Sequence, residues 1–557
     1  MINDKYFKLP IEYLSDKQEI KDTLKDDLEL IQVKEEGCNS LYQNVFSPKS
    51  NYAKAVMPFW SKYYTTNIPF LKDSQNFIKT YKSKYNSDFT TVYDEWNTFK
   101  DKEEEHFKEK YHYFGWSMLD SLNKSTNAMQ VLSLYNLGAP VLSLLMPVFL
   151  LIFPFFILKL KGAKITVKSY IELIKLMFAR NSLFKLFTEF GSAPLDKKMY
   201  LIMSVMFYGV QIYQNVMSCV NFYRNIHKIT KFIQNTKKYI EDTFNICDEL
   251  CIKLSHYKSY GPFITTIHSH KSQLHLLHSN LNSIINTPYT LIKISQIGKI
   301  MKEFYELFMN TKYHESMAFS FGLHGYLENI SQLQTLYNNK LISACKFDKK
   351  TKFKKSYYVS LINNKPVKNS YSVNNNEIIT GPNAAGKTTL LKSTLFNIIC
   401  SQQFGLGFYS SASINPYDHL HCYLNIPDTS GRDSLFQAEA RRCKEIIQFI
   451  DEYPEKRHFC IFDELYSGTN PDDAIESADA FIKYLSKRPV TFMLTTHYIE
   501  LCNKLKSIKN VRNSCMKIIQ TNNNIEYTYK YKKGICSIKG GKQVLKDLGY
   551  PDEIFDE

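Results

Sequence analysis

The sequence predicts an α/β domain at the C-terminal end of a mostly α-helical chain that carries one or two transmembrane helices. Beyond residue 350, short apolar runs alternate with helical segments and glycine-bearing turns, which is typical of α/β domains. Before that point, charged and amphipathic segments with few glycines indicate helices. Within this helical part, residues 139–158 form a run of 20 residues without a charge.

The composition limits what the chain can be. Its 557 residues leave room for roughly three or four domains, and 44% apolar residues exclude a wholly disordered or collagen-like chain. Lys and Arg outnumber Asp and Glu by 70 to 54, and most of this excess lies in residues 1–350. This charge favours anionic partners such as nucleic acid or a lipid surface. The 12 scattered Cys show no disulfide framework, which indicates a reducing, intracellular compartment.

These patterns divide the chain into four regions. Residues 1–135 form a charged, helical N-terminal region, and residues 136–224 form a membrane region. Residues 225–350 return to amphipathic helix patterns, and residues 351–557 form the α/β domain. The last boundary is marked by a lysine cluster that consists of Lys346, Lys349, Lys350, Lys352, Lys354 and Lys355.

The uncharged run at residues 139–158 is long enough to cross a hydrocarbon core of ~30 Å. Pro140, Pro147 and Pro154 recur at seven-residue intervals, which a soluble helix tolerates poorly and a membrane helix accommodates. A buried core helix is the alternative, and the length and the three prolines argue against it. We therefore expect this segment to enter a membrane.

A second uncharged run, residues 199–223, contains several Gln and Asn side chains, so a spanning helix and a buried helix fit it equally well. If both runs crossed a membrane, residues 159–198 would lie on the side opposite the C-terminal domain. Those residues carry nine basic and three acidic side chains, and the positive-inside rule disfavours that arrangement. One span, two spans and a shallow hairpin therefore all remain open.

A glycine loop follows a β-branched strand at residues 377–380 and leads into a predicted helix. The backbone N–H groups of such a loop, together with the helix N-terminus, bind phosphates. Lys387 can reach the β- and γ-phosphates of a nucleotide, and the Thr388 hydroxyl can hold Mg²⁺. The predicted nucleotide-binding residues of the loop are Gly381, Pro382, Asn383, Ala384, Ala385, Gly386, Lys387, Thr388 and Thr389.

Two further apolar strands end at polar side chains. Residues 459–462 lead to Asp463, which suits a Mg²⁺ ligand through water, and to Glu464, which suits a general base for an attacking water. Residues 490–496 lead to His497, which is placed to sense a γ-phosphate. The candidate catalytic residues are Lys387, Glu464 and His497, and the candidate metal ligands are Thr388 and Asp463.

Together these motifs resemble the ATP-binding-cassette class and, within it, the MutS family of DNA mismatch-repair ATPases. The phosphate loop contains the sequence Thr380-Gly381-Pro382-Asn383, which looks like the MutS form of the motif. The acid pair with its following loop at residues 467–470, and His497 with its neighbours Thr496 and Tyr498, look like the corresponding family motifs. Gln403 fits the family's glutamine loop. Ser434, in a segment from Asp428 to Glu439, resembles the signature serine that reaches into the partner subunit's nucleotide.

The resemblance covers about residues 355–555, and residues 225–345 fit the family's helical core and lever only loosely. One departure concerns the base of the nucleotide. The aromatic residue that stacks on adenine in many relatives has no clear counterpart before Asn369, where Pro366 and Val367 stand. Nucleotide affinity or base preference is therefore expected to differ from that of the family.

The resemblance implies a P-loop ATPase domain of the ATP-binding-cassette type that uses ATP and Mg²⁺. It also implies a head-to-tail dimer, with a second copy or a related MutS-like subunit, and duplex DNA as a partner. With the apolar run, it predicts an intracellular, membrane-associated ATPase whose ATPase domain faces the cytosolic or nuclear side. The alternative is a membrane-anchored module that ATP locks into a dimer without DNA mismatch activity. The presence of Glu464 and His497 favours the ATPase.

Overall fold

The structure, a computed structural model, describes residues 2–82, 89–100, 104–162, 166–180, 194–284, 294–424, 426, 434–521, 524–538, 545 and 548–551. The chain divides into two compact units. Unit 1 consists of Met1–Thr90, Ile246–His270 and Ala318–Glu557, and unit 2 consists of Thr91–Asn245 and Lys271–Met317. The expected combination of an α/β part and a helical part is confirmed, whereas the four-region division stays a prediction.

The α-helices are numbered in chain order through the described residues. They are α1 (Asp22–Asp27), α2 (Leu41–Phe46), α3 (Asn51–Val56), α4 (Ile68–Thr80), α5 (Thr90–Phe99), α6 (Glu104–Lys110), α7 (Asp120–Asn123), α8 (Thr126–Leu160), α9 (Val167–Arg180), α10 (Leu195–Leu254), α11 (Gly261–Asn282), α12 (Ile297–Met309), α13 (Thr311–Asn338), α14 (Lys387–Phe404), α15 (Leu435–Glu452), α16 (Pro471–Leu485) and α17 (Ile499–Leu505).

The β-strands of the described residues all belong to unit 1. They are β1 (Lys17–Glu19), β2 (Tyr63–Thr65), β3 (Ser343–Phe347), β4 (Lys352–Ser356), β5 (Asn369–Ser372), β6 (Asn376–Thr380), β7 (Leu406–Gly407), β8 (Ser411–Ile414), β9 (His419–Tyr423), β10 (His458–Asp463), β11 (Val490–Thr496), β12 (Val511–Thr521) and β13 (Asn524–Lys533).

The larger sheet of unit 1 has six strands in the order β13-β12-β6-β11-β10-β9. The strands from β12 to β9 pair in parallel, and β13 pairs antiparallel with β12. The apolar side chains of β10 and β11 pack with those of α15 and α16 in a buried core. Because parallel strands end at the same edge of a sheet, β6, β10 and β11 bring the residues that follow them to one place.

The smaller sheet of unit 1 has five strands in the order β5-β4-β8-β3-β7. The β4 strand pairs antiparallel with both β5 and β8, and β3 pairs parallel with β8. Its buried side chains include Cys345, Phe353, Tyr371 and Ala412. The other face of the sheet is polar, because the alternating residues of β4 and β8 are lysines and serines.

In unit 2, the long helix α8 lies antiparallel beside the first half of α10. The Tyr208 hydroxyl donates to the carbonyl oxygen of Ser143 at 2.8 Å, and the Cys219 thiol donates to the carbonyl oxygen of Leu137 at 3.4 Å. The contact positions run in opposite directions along the two helices, so they form a helical hairpin. Both uncharged runs of the sequence lie in this hairpin.

Many apolar side chains of the hairpin are exposed to solvent, among them Phe153 at 64% and Met206 at 68%. Among the described helices, one stretch, Thr126–Met146, is long and apolar enough to cross a membrane by length and composition alone. It overlaps the predicted run at residues 139–158, whereas residues 199–223 do not meet the same criterion. Membrane association itself stays a prediction.

Candidate nucleotide-binding site

A cavity of about 740 Å³ lies in unit 1 at the edge of the larger sheet where β6 ends. The residues after β6 form one wall of this cavity, and Asp463 and Glu464 at the end of β10 form another. Clefts of this size, with a few convergent polar groups, are typical of small-molecule sites. The predicted loop residues that line the cavity are Pro382, Asn383, Ala384, Ala385, Gly386, Lys387, Thr388 and Thr389.

The loop has the backbone geometry of an anion site. All five residues of β6 are buried, and the chain then turns through Ala384 at φ +63° and Gly386 at φ +89° before α14 begins at Lys387. A Cβ atom on Gly386 would lie 3.1 Å from the Tyr529 ring, so glycine fits both the left-handed conformation and the close approach. The free N–H groups at the start of α14 can bind a negatively charged group.

Lys387 is buried in the loop and holds it together. Its Nζ donates to the carbonyl oxygens of Gly381 at 2.8 Å and Pro382 at 3.3 Å. The same ammonium group lies 3.1 Å from Glu464 Oε1. One cation therefore joins the phosphate loop to the end of β10.

Thr388 and Asp463 place a pair of oxygen-bearing side chains beside the loop. The Thr388 hydroxyl donates to Asp463 Oδ2 at 2.7 Å, and the Thr495 hydroxyl donates to the other carboxylate oxygen. Mg²⁺ prefers oxygen ligands and is commonly held by one or two protein groups together with substrate phosphates. This donor set fits Mg²⁺, with Thr388 and Asp463 as the residues that would hold it.

Glu464 has a constrained backbone and a strongly acidic side chain. Its φ is +50°, and its N–H donates to the carbonyl oxygen of Thr495 at 3.1 Å. Its Oε2 atom lies 3.7 Å from His497 Nδ1. Interaction with His497 and with the Lys387 ammonium outweighs burial and lowers the pKa of the Glu464 carboxyl to about 2. The carboxylate is therefore ionised at neutral pH.

The C-terminal residues 377–557 match the family model of MutS domain V. The chain is 30% identical over 181 residues to the DNA mismatch repair protein MutS of Bacteroides fragilis (strain YCH46), which covers 32% of this chain and 20% of that protein. It is 29% identical over 194 residues to MutS of Persephonella marina, covering 34% of this chain and 22% of that protein. It is 28% identical over 182 residues to Endonuclease MutS2 of Clostridium acetobutylicum, covering 32% and 22%.

These matches show that the C-terminal third of the chain is similar to proteins of the MutS family. The MutS domain V match begins within β6 and therefore includes the glycine loop, Asp463, Glu464 and His497. The residues before β6 lie outside the MutS domain V match. The chain spans about a fifth of the length of the curated MutS relatives that it matches.

The structure does not bring Gln403 to the nucleotide cavity, which corrects its predicted place in a glutamine loop. Gln403 lies 16 residues along α14 from Lys387, a distance of about 24 Å at ~1.5 Å per residue. It is buried, and its amide oxygen accepts from the Tyr42 hydroxyl at 2.7 Å. Its amide nitrogen donates to the carbonyl oxygens of Trp60 and Tyr63. Gln403 thus attaches the end of α14 to the N-terminal residues of unit 1.

Ser434 lies at the N-terminus of α15 and does not line the cavity of its own chain. Its hydroxyl accepts from the Gln437 N–H at 3.3 Å, and its N–H donates to Gln437 Oε1 at 2.9 Å. Ser434 is exposed, which leaves it accessible to another chain. The predicted signature residue Asp428 lies outside the described residues.

Tyr529 is a cavity residue that the sequence did not reveal. The pairing of β12 and β13 shifts register beside Lys517, so that Thr528 and Tyr529 bulge out of the ladder, with Tyr529 at φ +54°. The Asn369 amide holds this bulge by donating to the Tyr529 carbonyl oxygen and accepting from the Tyr531 N–H, both at 2.9 Å. The bulge places an aromatic ring over Gly386, beside Pro366 and Val367, which also line the cavity.

Glu439 connects α15 to the loop after the acid pair. This buried carboxylate accepts from the Ser467 N–H at 3.1 Å, the Ser467 hydroxyl at 3.0 Å and the Gly468 N–H at 3.1 Å. A Cβ atom on Gly468 would lie 2.6 Å from the Leu435 side chain, so α15 begins directly against this loop. The start of α15 and the loop at Ser467 and Gly468 therefore form one surface.

Proposed function

We propose that this chain is an ATPase of the MutS type that binds ATP with Mg²⁺ in the cavity at the end of β6 and acts on duplex DNA. The observation that carries the proposal is the convergence of three features on one cavity. These are the Lys387 ammonium, the Thr388–Asp463 oxygen pair and the Glu464 carboxylate with His497 beside it. The match of this region to MutS domain V supports the same assignment.

In this proposal, the loop N–H groups and Lys387 Nζ bind phosphate oxygens. Thr388 and Asp463 hold Mg²⁺, which neutralises negative charge on the phosphates when it is bound. The phosphates compete with Glu464 for the Lys387 ammonium, so Glu464 loses one of the partners that lower its pKa. Glu464 then accepts a proton from the attacking water, and His497 orients its carboxylate. Tyr529 provides the aromatic surface for the base of the nucleotide.

The active form in this proposal is a head-to-tail dimer of two copies, or of one copy with a related MutS-like subunit. Ser434 is exposed at the start of α15, and Glu439 links that helix to the loop at Ser467 and Gly468. This arrangement supports a surface that completes the partner's nucleotide site. Glu464 and Lys387 then act in one chain while Ser434 acts in the other.

The test compares ATP binding and phosphate release by the full chain and by Lys387→Ala, with and without a 30-bp DNA duplex. We expect Lys387→Ala to bind ATP about 100-fold more weakly, because hydrogen bonds to charged groups contribute ~1.5–3 kcal/mol each and ~1.4 kcal/mol is a factor of ten. Lys483→Ala, which removes an exposed lysine from α16, is the matched control and should bind ATP normally.

Two outcomes would contradict the proposal. Wild-type binding of ATP without any phosphate release would favour the alternative, a nucleotide-locked dimerisation module. A phosphate-release rate that duplex DNA leaves unchanged, in a chain that does not bind the duplex, would exclude the DNA-coupled part of the function.

We further propose that the α8–α10 hairpin attaches this intracellular ATPase to a membrane, with unit 1 on the cytosolic or nuclear side. The exposed apolar side chains of both helices support this, because such a large apolar surface is unfavourable in water. Flotation of the full chain with liposomes tests the idea. Complete recovery of the protein in a high-salt supernatant without lipid would exclude it.

A further inference from the structure

The outer face of the smaller sheet carries a regular arrangement of lysines and serines. The strand register places Lys346 of β3, Ser413 of β8, Lys352 of β4 and Ser372 of β5 in one row across the sheet. Lys354 of β4 extends the pattern into the next row. We call this surface the lysine face; it comprises Lys346, Lys352, Lys354 and Lys355 on the strands and Lys349 and Lys350 in the turn between β3 and β4.

The lysine face has a strong local positive charge. All six lysines are exposed, and among residues 343–356 the single acid is Asp348. Within the described part of the chain, none of the six ammonium groups forms a salt bridge. The inward-pointing neighbours Cys345, Phe353 and Ala412 are buried, so the sheet holds the lysines on a fixed backbone.

The spacing of these lysines suits a regular array of negative charges. Lys352 and Lys354 are two residues apart on one strand, which is about 6.8 Å at ~3.4 Å per residue. Lys346 and Lys352 lie on strands that flank β8, which is about 9.6 Å at ~4.8 Å per strand. Duplex DNA presents one phosphate charge per ~1.7 Å of its axis, so several phosphates fall within this area.

We propose that the lysine face binds the phosphate backbone of duplex DNA without reading its sequence. Lysine side chains and serine hydroxyls are common phosphate contacts. Ser370 accepts a hydrogen bond from the Lys355 N–H, so its own hydroxyl proton can be donated to a ligand. The residues that alternate with the lysines across this face are serines, whereas membrane-surface segments combine basic with apolar side chains. The surface therefore favours nucleic acid over lipid.

This inference rests on duplex DNA as the partner in the proposed function, and it adds where the duplex is held. The test uses the full chain, a fluorescein-labelled 30-bp duplex and fluorescence anisotropy between 50 and 300 mM KCl. The variant is Lys346→Gln with Lys352→Gln and Lys354→Gln, which removes three charges from outward-facing positions. The control is Lys483→Gln with Lys487→Gln and Lys506→Gln, which removes three exposed lysines elsewhere in unit 1.

We expect the lysine-face variant to reduce the slope of log K against log salt by about 2.7, since each phosphate contact contributes ~0.9. Its affinity at 100 mM KCl should fall at least tenfold, and equally for two duplexes of unrelated sequence. The control should match the wild type. The ATP turnover of the variant without DNA should also equal that of the wild type, because the lysine face does not line the nucleotide cavity.

Three results would overturn the inference. If the wild type binds the duplex and the variant binds it with the same slope, the lysine face is not the contact, although DNA remains the partner. If the wild type binds no duplex at 50 mM KCl, both the inference and the DNA-coupled part of the proposed function fail. If the variant keeps DNA binding and loses binding to phosphatidylserine vesicles, the face binds lipid.

Discussion

Strand β10 and helix α8 have similarly apolar sequences and opposite surroundings. The residues of β10 from Phe459 to Phe462 are completely buried between neighbouring strands and helices. The side chains of Phe149 and Phe153 on α8 are exposed. Apolar composition thus predicts that a segment avoids water, but the neighbours supplied by the rest of the chain decide whether the protein itself covers it.

The two regions also differ in their titratable side chains. The buried strand β10 ends at Asp463 and Glu464, which its packing holds in place at the cavity. Residues 125–158 of the α8 region contain no titratable side chain except Tyr135. The strand region is therefore suited to charged ligands and proton transfer, and the helix region to an apolar environment.

The largest expected effect concerns the acidic residues at the end of β10. Glu464→Gln should retain ATP and lower phosphate release by about 10²–10⁴-fold, because an amide cannot take a proton from water. The ATP-bound variant should also accumulate as a dimer, measured by light scattering, because we propose that ATP holds the dimer closed and this variant cannot hydrolyse it. Glu500→Gln removes an exposed carboxylate of α17 and serves as the control. Wild-type turnover by Glu464→Gln would refute the assignment of the base.

The next largest effect concerns the exposed apolar side chains of α8. Phe149→Arg with Phe153→Arg should release the protein from liposomes in a flotation experiment, because a charge at the centre of a membrane helix costs ~2.5–3.5 kcal/mol. At ~1.4 kcal/mol per tenfold, each substitution should weaken partition by about 100-fold. Leu276→Arg, at an exposed position of α11, should leave flotation unchanged. Equal flotation of the double variant and the wild type would show that α8 is not the attachment site.

The smallest effect is a pH dependence of stability to which the strand region should contribute and α8 should not. Burial, with a smaller contribution from His458, lowers the pKa of His419 to about 4, and burial lowers the pKa of His421 well below its usual value. His421 Nε2 lies 3.1 Å from His458 Nδ1. Because the unfolded chain binds these protons more readily, stability should fall as the pH decreases from 6.5 to about 4.

His421→Gln keeps a hydrogen-bonding side chain and removes one titrating group. Between pH 6.5 and about 4, the decrease in Tm of this variant should therefore be smaller than that of the wild type by a few degrees. His256→Gln, at an exposed position, is the control and should show the wild-type pH profile. Liposome flotation should not change between pH 6.5 and 5, because no side chain of α8 titrates there. An identical Tm profile for His421→Gln and the wild type would exclude a role for this histidine.

Sequence reasoning could locate those site residues that end parallel strands. Lys387, Asp463 and Glu464 meet because β6 and β10 end at the same edge of one sheet, a consequence of topology that strand motifs already indicate. Their catalytic roles stay predictions. Tyr529 could not be found, because a β-bulge depends on register with a partner strand and has no local signature here. Gln403 was misplaced because its motif lies at the far end of an 18-residue helix.

The long-range packing of unit 1 was equally inaccessible. Patterns along the chain show helices near the N-terminus, but they do not show that Met1–Thr90 belongs to the same compact unit as the MutS-like region. Likewise, the hydrogen bonds of Glu439 to Ser467 and Gly468 connect a helix to a loop that follows a different strand. Such contacts depend on how distant segments pack in three dimensions, and local hydrophobic patterns in the sequence do not show them.

The attachment of Gln403 to Tyr42, Trp60 and Tyr63 has a consequence for how the protein is made. The hydrogen bond between Tyr42 and Gln403 joins residues 361 positions apart. At a synthesis rate of ~5–20 residues per second, the N-terminal segment leaves the ribosome about 20–70 seconds before its partner helix exists. The buried aromatic side chains of that segment are therefore without their native cover during translation. These side chains can pack against α14 only after that helix has been synthesised.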